Sequence, residues 1–145
     1  MTLRPATAAD AARLTEIHLT SRAAAMPWLA TPHDAQETAA WMAGVVLAED
    51  TVLVDEEGGE VRGFAALHDD WLEHLYVDPA RQGRGVGSRL LAAARALRPG
   101  GLRLHVFTRN AAARRFYERA GFVLVEQGDG SGNEEREPDC LYRWR

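Results

Sequence analysis

The sequence predicts a mixed α/β fold, in which one mostly antiparallel sheet of about seven strands is flanked by about four helices. Three observations support this prediction. Three apolar segments in the middle of the chain are separated by two short turn sequences, a pattern typical of antiparallel hairpins. A glycine-rich junction joins the last of these strands to a helix. Another apolar strand follows that helix, and a helical crossover of this kind makes the two strands it connects parallel.

The first part of the chain predicts a short strand and a helix. The strand covers residues 3–6, and the helix begins at Thr7 with Asp10 in its first turn. Pro27 interrupts the helix, because proline has no N–H group to continue the hydrogen-bond ladder. The apolar positions follow helical spacing and include Leu14, Ile17 and His18.

A second helix is predicted over residues 34–47. Asp34 is suited to cap its N-terminus, and Glu37 follows three residues later, as in a capping box. The side chains expected on its buried stripe are Trp41, Val45 and Ala48.

Two hairpins are predicted in the middle of the chain. Their strands cover residues 51–54, 61–68 and 71–77. Gly58-Gly59 and Asp69-Asp70 form the turns between them, because glycine and aspartate favour tight turns. Strands joined by such short turns pair antiparallel.

The last third of the chain alternates helices and strands. A helix over residues 86–97 ends before Pro99-Gly100-Gly101, which is a strong stop signal. A second helix has Asn110 as its cap and ends at Gly121. The predicted strands are residues 102–108, 122–126 and 140–144, of which the last is expected at an edge of the sheet.

Length and composition predict a single domain over residues 1–145, long enough to bury a core. No apolar run is suited to a signal peptide or approaches the roughly 18 residues of a membrane span, so we expect a cytoplasmic protein without a membrane partner. Cys140 is the only cysteine, which leaves no internal disulfide, and no metal site is expected. The net charge of −4 argues against a nucleic-acid partner.

Residues 77–91 place a glycine-rich loop between a strand and a helix, where unpaired N–H groups and the helix dipole favour an anion. A Walker loop requires Gly-Lys-Ser/Thr, and the chain contains no lysine. A Rossmann fingerprint requires a glycine where this chain has Ser88, and an acidic residue where it has Thr108-Arg109. The pattern that remains is Gln82-x-x-Gly85-x-Gly87.

Several arginines lie around this loop or on the helix that follows Asn110. Arginine suits a phosphate ligand, because its planar guanidinium donates two hydrogen bonds at once. The residues concerned are Arg81, Arg84, Arg89, Arg114 and Arg115.

These residues resemble the signatures of the GNAT acyltransferase superfamily. The loop matches the pattern Gln/Arg-x-x-Gly-x-Gly/Ala, on which the family holds the pyrophosphate of acyl-coenzyme A. The segment from Asn110 through Phe116-Tyr117 to Gly121-Phe122 resembles the second signature, and the resemblance covers nearly the whole chain. It implies a GNAT-like sheet that is splayed at the acyl-CoA site. It also implies an N-acetyltransferase that moves the acetyl group of acetyl-CoA to a primary amine of a small molecule.

The resemblance implies which residues hold the cofactor. Backbone N–H groups of the loop bind the pyrophosphate, the preceding strand pairs with the pantetheine arm, and Asn110 contacts that arm. A bulge in the strand is expected to splay it from its parallel neighbour. The implied residues are Leu75, Tyr76, Val77, Gln82, Gly83, Arg84, Gly85, Val86, Gly87, Ser88, Asn110, Arg114 and Tyr117.

Acetyl transfer needs an acid for the departing thiolate and a donor that stabilises the oxyanion. The resemblance implies Tyr117 as the acid, and packing in the core is the alternative role for this side chain. A backbone N–H near Leu75 or Tyr76 is expected to stabilise the oxyanion. The sequence contains nothing that resembles a Ser/His/Asp or Cys/His nucleophilic set, so direct attack in a ternary complex is favoured.

The reaction also needs a base for the amine. Glu73 is our candidate, because it lies four residues before Val77 on the strand that carries the cofactor. His74 and His68 remain alternatives, since an unperturbed imidazole titrates near neutrality, and a water can carry the proton. A solvent-facing strand residue is the structural alternative for Glu73.

The acceptor site is predicted from the segment between the first two helices and from the charged loop over residues 130–139. Aromatic rings beside acidic groups would suit a cationic amine. Tryptophans buried in the core and an exposed flexible loop are the alternatives. The candidate acceptor residues are Trp28, His33, Trp71 and Glu134, with Trp41 and Glu135 nearby.

Two other functions stay open on this evidence. The acceptor amine can belong to a peptide or protein, or the chain can be a non-catalytic module that senses acyl-CoA. A monomer and a homodimer are both compatible with the sequence, and the strand over residues 140–144 is the edge predicted to pair in a dimer.

Overall fold

The computed structural model describes residues 2–145, which form one seven-stranded sheet with helices on both faces. The strands are β1 (Thr2–Pro5), β2 (Thr51–Glu57), β3 (Glu60–His68), β4 (Trp71–Val77), β5 (Leu102–Phe107), β6 (Val123–Gly128) and β7 (Asp139–Trp144). The helices are α1 (Ala11–Ala25), α2 (Ala35–Trp41), α3 (Leu47–Glu49), α4 (Val86–Leu97) and α5 (Ala111–Arg119). A π-helical turn, Met42–Val46, joins α2 to α3 in one continuous helical segment.

The strand order is β1-β2-β3-β4-β5-β7-β6. Neighbouring strands are antiparallel except β4 and β5, which the α4 crossover makes parallel. The predicted fold class is therefore confirmed. Both predicted hairpin turns are also confirmed, and Gly58, Gly59 and Asp69 adopt the positive φ angles that such turns require.

The predicted edge strand is wrong. β7 lies between β5 and β6, so the edge of the sheet at this end is β6. The side chains of Cys140 and Tyr142 are fully buried against the core, whereas every residue of β6 is exposed. A strand that pairs on both sides can bury its alternate side chains completely, which an edge strand rarely does. Any pairing with a second copy at this end would use β6.

Two details of the predicted helices also need correction. The helix predicted from Thr7 opens with a 3₁₀ turn, Ala8–Asp10, and its α-helical part begins at Ala11. The predicted stripe of the second helix is one position off, because the buried side chains are Thr38, Met42 and Val46. Trp41 is instead half-buried, and Val45 and Ala48 are exposed. The ring of Trp41 packs against the border of the core and also lines a cavity beside α1.

The core has one part on each face of the sheet. On one face, α4 and α5 pack against the middle of the sheet through residues such as Leu90, Leu104 and Tyr142. On the other face, α1 and the α2–α3 segment cover β2 and β3 through residues such as Ile17 and Phe64. No helix formed by residues 2–145 is long and apolar enough to cross a lipid bilayer.

The sheet opens between β4 and β5. These strands pair only near their beginning, where Trp71 lies opposite Arg103. The register of β4 against β3 shifts at the same place, because Ala66 pairs with His74 while Leu67 pairs with Leu72, which leaves Glu73 as the extra residue of a bulge. The predicted bulge and splay are therefore present, and the second half of β4 has a free edge facing the opening.

Candidate active site

The glycine-rich loop ends in a helix with unpaired N–H groups. Gly83 and Gly85 both have φ near +79°, a left-handed conformation that favours glycine. Gly85 is the residue before α4, and within residues 2–145 no side chain caps this helix end. The first N–H groups of α4 are therefore available to an anion.

A cleft of about 430 Å³, here called the loop cleft, extends from this helix end along the free edge of β4. Side chains of α1 and α5 form its two walls. Of the residues predicted to hold the cofactor, those lining the cleft are Leu75, Tyr76, Val77, Gln82, Gly83, Gly85, Val86, Gly87, Ser88, Asn110 and Tyr117. Sequence reasoning did not identify the α1 wall, which Ser21, Ala25 and Met26 form.

Asn110 and Tyr117 reach the loop cleft from α5. The side-chain oxygen of Asn110 accepts a hydrogen bond from the N–H of Ala113 at 3.2 Å, so the predicted cap is present. Burial strongly raises the pKa of Tyr117, and the nearby Tyr76 adds to the shift. The phenol therefore stays protonated throughout the physiological range.

The arginines around the loop do not all face the cleft. Arg114 donates to the hydroxyl of Tyr142 at 3.0 Å and is not among the residues that line the loop cleft. Arg89 donates to the carboxylate of Asp55 at 3.1 Å. Arg84, like Arg115, is exposed. Paired guanidinium groups have fewer free donors, so Arg89 and Arg114 are less available to an anion than the N–H groups at the start of α4.

A second cavity, of about 630 Å³, lies between α1, α2, β4 and the loop over residues 129–138. We call it the histidine cavity. The rings of His18, Trp41 and His74 form its inner wall, with centroids 5.1 to 5.9 Å apart. The predicted acceptor residues His33 and Glu134 line its mouth.

Both histidines of this inner wall are neutral at physiological pH. Burial, followed by the positive charge of Arg22, lowers the pKa of His74 to about 4. The same two causes and the nearby His74 lower the pKa of His18 to about 3. Each ring therefore keeps an unprotonated nitrogen in the physiological range.

Two ion pairs connect the charged loop to the opposite wall of the histidine cavity. Glu135 accepts from Arg22 at 2.9 Å, and Glu134 lies 2.8 Å from His33. The acidic groups predicted to attract an amine are thus already paired within the protein. Sequence reasoning missed Arg22, because an arginine at the end of a helix gives no sign of the loop that it will meet more than a hundred residues later.

The two cavities meet at Tyr76. Arg22 of the histidine cavity donates to the hydroxyl of Tyr76 at 3.2 Å, and Tyr76 also lines the loop cleft. His74 and Leu75, which are consecutive on β4, line the histidine cavity and the loop cleft respectively. The linings of the two cavities are therefore adjacent along the second half of β4.

The remaining predicted residues lie outside the histidine cavity. Trp28 packs against Phe107 and beneath the guanidinium of Arg109, 4.1 Å from its ring centroid. Trp71 stacks on His105 at a centroid distance of 5.0 Å. These contacts hold the two tryptophans against β5 and the residues that follow it.

Glu73 and His68 lie on the exposed side of the bulge in β4. The pKa of Glu73 is raised by partial desolvation and by the neighbouring carboxylate of Asp50. His68 contacts Asp50, at 3.2 Å. Neither side chain is part of the histidine cavity lining, so the bulge presents His74, and not Glu73, to that cavity.

Comparison with known proteins agrees with this geometry. A family model described as the acetyltransferase (GNAT) domain matches residues 47–124, which include the β4 edge, the glycine loop and α5. The chain belongs to the GNAT acetyltransferase family. It is accordingly an N-acetyltransferase that uses acetyl-CoA, and the free helix end and the open edge of β4 fit that cofactor.

Two curated relatives of this GNAT enzyme align over 88% of the chain and 82% of their own length. The L-methionine sulfoximine/L-methionine sulfone acetyltransferase of Salmonella typhimurium is 36% identical, and the L-amino acid N-acyltransferase MnaT of Escherichia coli is 34% identical. Among solved structures, yncA of Salmonella typhimurium with acetyl-CoA is 29% identical with a TM-score of 0.74, covering 100% of this chain and 93% of that one. Apo YjaB of Escherichia coli, at 23% identity, has the same fold with a TM-score of 0.82, covering 99% of this chain and 96% of that one.

Proposed function

We propose that this GNAT enzyme acetylates the primary amine of a small acceptor of amino-acid type, by direct attack in a ternary complex. The observation that carries the proposal is the meeting of the loop cleft and the histidine cavity at the free edge of β4. Both curated relatives are named as acyltransferases of amino acids or amino-acid analogues, which supports the acceptor class.

The loop cleft is proposed to hold acetyl-CoA. N–H groups of residues 82–88 bind the pyrophosphate, and main-chain groups of Leu75 and Val77 pair with the pantetheine arm. Asn110 contacts the same arm from α5. The cofactor supplies an activated acetyl thioester. A backbone N–H near Leu75 or Tyr76 then donates to the oxygen on which negative charge develops.

Proton transfer is assigned to two side chains on opposite sides of the β4 edge. Tyr117, whose raised pKa keeps it protonated, donates its hydroxyl proton to the departing sulfur. A neutral ring nitrogen of His74 accepts the proton of the acceptor amine, directly or through a water. Glu73 remains the competing candidate for this second role, acting through water from the exposed side of the bulge.

Arg22 is proposed to bind the acceptor carboxylate. It is the arginine in the lining of the histidine cavity, and Tyr76 and Glu135 hold its guanidinium in place. A carboxylate on the acceptor can replace Glu135 on the planar guanidinium, which suits bidentate binding. The positive charge also disfavours a second cation nearby, which helps to keep the amine unprotonated.

The decisive experiment measures release of the coenzyme A thiol from acetyl-CoA with a panel of free L-amino acids, their carboxamides, polyamines, aminoglycosides, arylamines and short peptides. We expect turnover with free amino acids, and a kcat/KM at least about tenfold lower for the matching carboxamides, because an amide lacks the charge that Arg22 binds. The variant Tyr117→Phe should retain acetyl-CoA affinity while its kcat falls at least about tenfold.

Other outcomes of this panel would replace the proposal. Turnover confined to peptides would identify a peptide or protein acceptor, and turnover confined to polyamines would exclude the role of Arg22. Binding of acetyl-CoA without turnover on any acceptor would favour a sensor module. Unchanged kcat in Tyr117→Phe would assign that ring to packing.

A further inference from the structure

We propose that Asp55 is a positioning residue for acetyl-CoA, which acts by holding Arg89 and, through Arg89, the main chain of the glycine loop. The inference rests on the proposed placement of the cofactor pyrophosphate at residues 82–88. It concerns residues that lie outside both sequence signatures and that do not line the loop cleft.

Asp55 is a buried carboxylate on the strand next to the edge strand β1. Its side chain is 0% exposed, on β2 beneath the start of α4. One oxygen accepts from Arg62 at 2.5 Å, and the other accepts from the Nε of Arg89 at 3.1 Å. Burying an ionised carboxylate destabilises the folded state unless charged donors bind it. Asp55 therefore holds the guanidinium groups of Arg62 and Arg89 in place.

A bulge supplies the first of these donors. The register of β2 against β3 shifts because Asp55 pairs with Gly63 while Glu56 pairs with Val61, which leaves Arg62 as the extra residue. Such a bulge redirects a side chain, and here it brings Arg62 to the same side as Asp55. The carbonyl of Arg62 accepts from the N–H of Asp78 at 2.8 Å, so the same residue also fixes the start of the loop.

Arg89 connects Asp55 to the other end of the loop. Its guanidinium donates to the carbonyl of Arg84 at 3.1 Å, while its Nε is held by Asp55. The terminal nitrogen lies so close to Gly85 that a Cβ there would be 3.1 Å away. The guanidinium thus lies directly beside the left-handed turn that precedes the first free N–H groups of α4.

These contacts imply that Asp55 and Arg89 keep the loop N–H groups in one orientation before the cofactor arrives. When the loop is already ordered, the ligand loses no binding free energy to ordering it, so its affinity is higher. The alternative is that Asp55 holds Arg89 away from a phosphate that it would otherwise bind. The two cases predict opposite changes in acetyl-CoA affinity when Asp55 is replaced, because releasing Arg89 weakens cofactor binding in the first case and strengthens it in the second.

The test is a double-mutant cycle with Asp55→Asn and Arg89→Met, in which titration calorimetry measures the Kd of acetyl-CoA. We expect each single variant to weaken binding about tenfold, and the double variant to be no weaker than Arg89→Met alone. S-acetyl-pantetheine, which has no pyrophosphate, should be used as acetyl donor with kcat/KM unchanged in all three variants.

The matched control is the ion pair between Arg4 and Asp10. Arg4 has an exposed fraction of 30%, close to the 29% of Arg89, and it also binds two carboxylates, those of Asp10 and Glu56, but none of its hydrogen bonds reaches the glycine loop. Arg4→Met and Asp10→Asn should lower the thermal midpoint while the Kd of acetyl-CoA stays unchanged. This control separates positioning from general loss of stability.

Three results would overturn the inference. Tighter acetyl-CoA binding in Asp55→Asn would show restraint instead of positioning, additive effects would show that Asp55 does not act through Arg89, and equal losses with S-acetyl-pantetheine would show a general structural effect. If Asp55→Asn does not fold, Arg89→Met and Arg89→Lys decide alone, since Arg89 is partly exposed. Failure of the wild-type chain to bind acetyl-CoA would contradict the proposed placement of the cofactor instead.

Discussion

His74 and Glu73 are consecutive on β4, but they face different surroundings, because Glu73 is the extra residue of the bulge and His74 is the residue at which pairing with β3 resumes. His74 is in contact with Trp41 and His18 inside the histidine cavity. Glu73 lies outside it, near Asp50, and its pKa is raised. Burial gives the imidazole a free lone pair at neutral pH, whereas the carboxylate has no direct route to the cavity. The imidazole of His74 and the carboxylate of Glu73 are therefore the two rival acceptors for the amine proton.

We expect His74→Gln to lower kcat at least about tenfold at neutral pH, while Glu73→Gln keeps most of the rate. The reason is that Gln retains a similar size but accepts no proton. The measurement is the pH dependence of kcat/KM for both variants, with acetyl-CoA affinity measured alongside. If the fall of kcat/KM at low pH disappears in Glu73→Gln and persists in His74→Gln, Glu73 is the group that accepts the amine proton.

At the scale of elements, the loop over residues 129–138 forms one side of the histidine cavity without regular secondary structure. Asn133 holds its shape, since its side chain both donates to and accepts from the main chain of Glu137, at 2.8 and 3.2 Å. Gly130 has a φ of +91°, and a Cβ at this position would lie 2.6 Å from the main chain of Glu137. The loop therefore needs this glycine to place its two glutamates.

Gly130→Ala should move Glu134 and Glu135 away from their partners and raise the acceptor KM severalfold, while the Kd of acetyl-CoA stays unchanged. Gly132→Ala is the control, because a Cβ there meets nothing within 4 Å and its φ is not in the left-handed region. Steady-state kinetics with the acceptor found in the panel would check both. Equal KM values in the two variants would mean that the loop does not shape the acceptor site.

For the whole molecule, the two buried histidines link acid stability to the active site. Both have pKa values depressed from 6.5, to about 4 for His74 and about 3 for His18. The folded state holds them neutral, whereas the unfolded chain takes up protons below pH 6.5. Stability is therefore fully present above pH 6.5 and is lost as the pH falls towards the folded values, at about 1.4 kcal/mol per pH unit for each histidine.

Urea unfolding between about pH 7.5 and about pH 4.5 should show this loss, and His18→Asn should reduce its slope. His105→Asn, a change at an exposed position, should leave the slope as in the wild-type chain. The pKa values of Asp10 and Asp78 are lowered from the ordinary 3.8, so protonation of these two carboxylates reduces the stability of the fold only at a pH below about 3.8, outside this window. A flat profile across this window would mean that the two rings are solvated in the folded state.

The features of this protein that could be predicted from its sequence are those set by interactions between residues close together in the chain. The bounds of β4, the glycine loop and the Asn110 cap agree with the sequence, because turn glycines, capping side chains and period-two alternation act between near neighbours. The GNAT signatures are likewise short and continuous. For the same reason the loop cleft, built mostly from residues 75–88 and 110–117, could be anticipated almost completely.

The element types, the parallel crossover and the residues along the cofactor loop follow from local patterns in the sequence. Long-range packing sets three other features, which are the interior position of β7, the assembly of His18, Arg22 and His74 into one cavity, and the contact between Arg89 and Asp55. These arrangements join residues that are far apart in sequence. They depend on which faces pack and on which buried charges must be compensated, and no local pattern of residues carries that information.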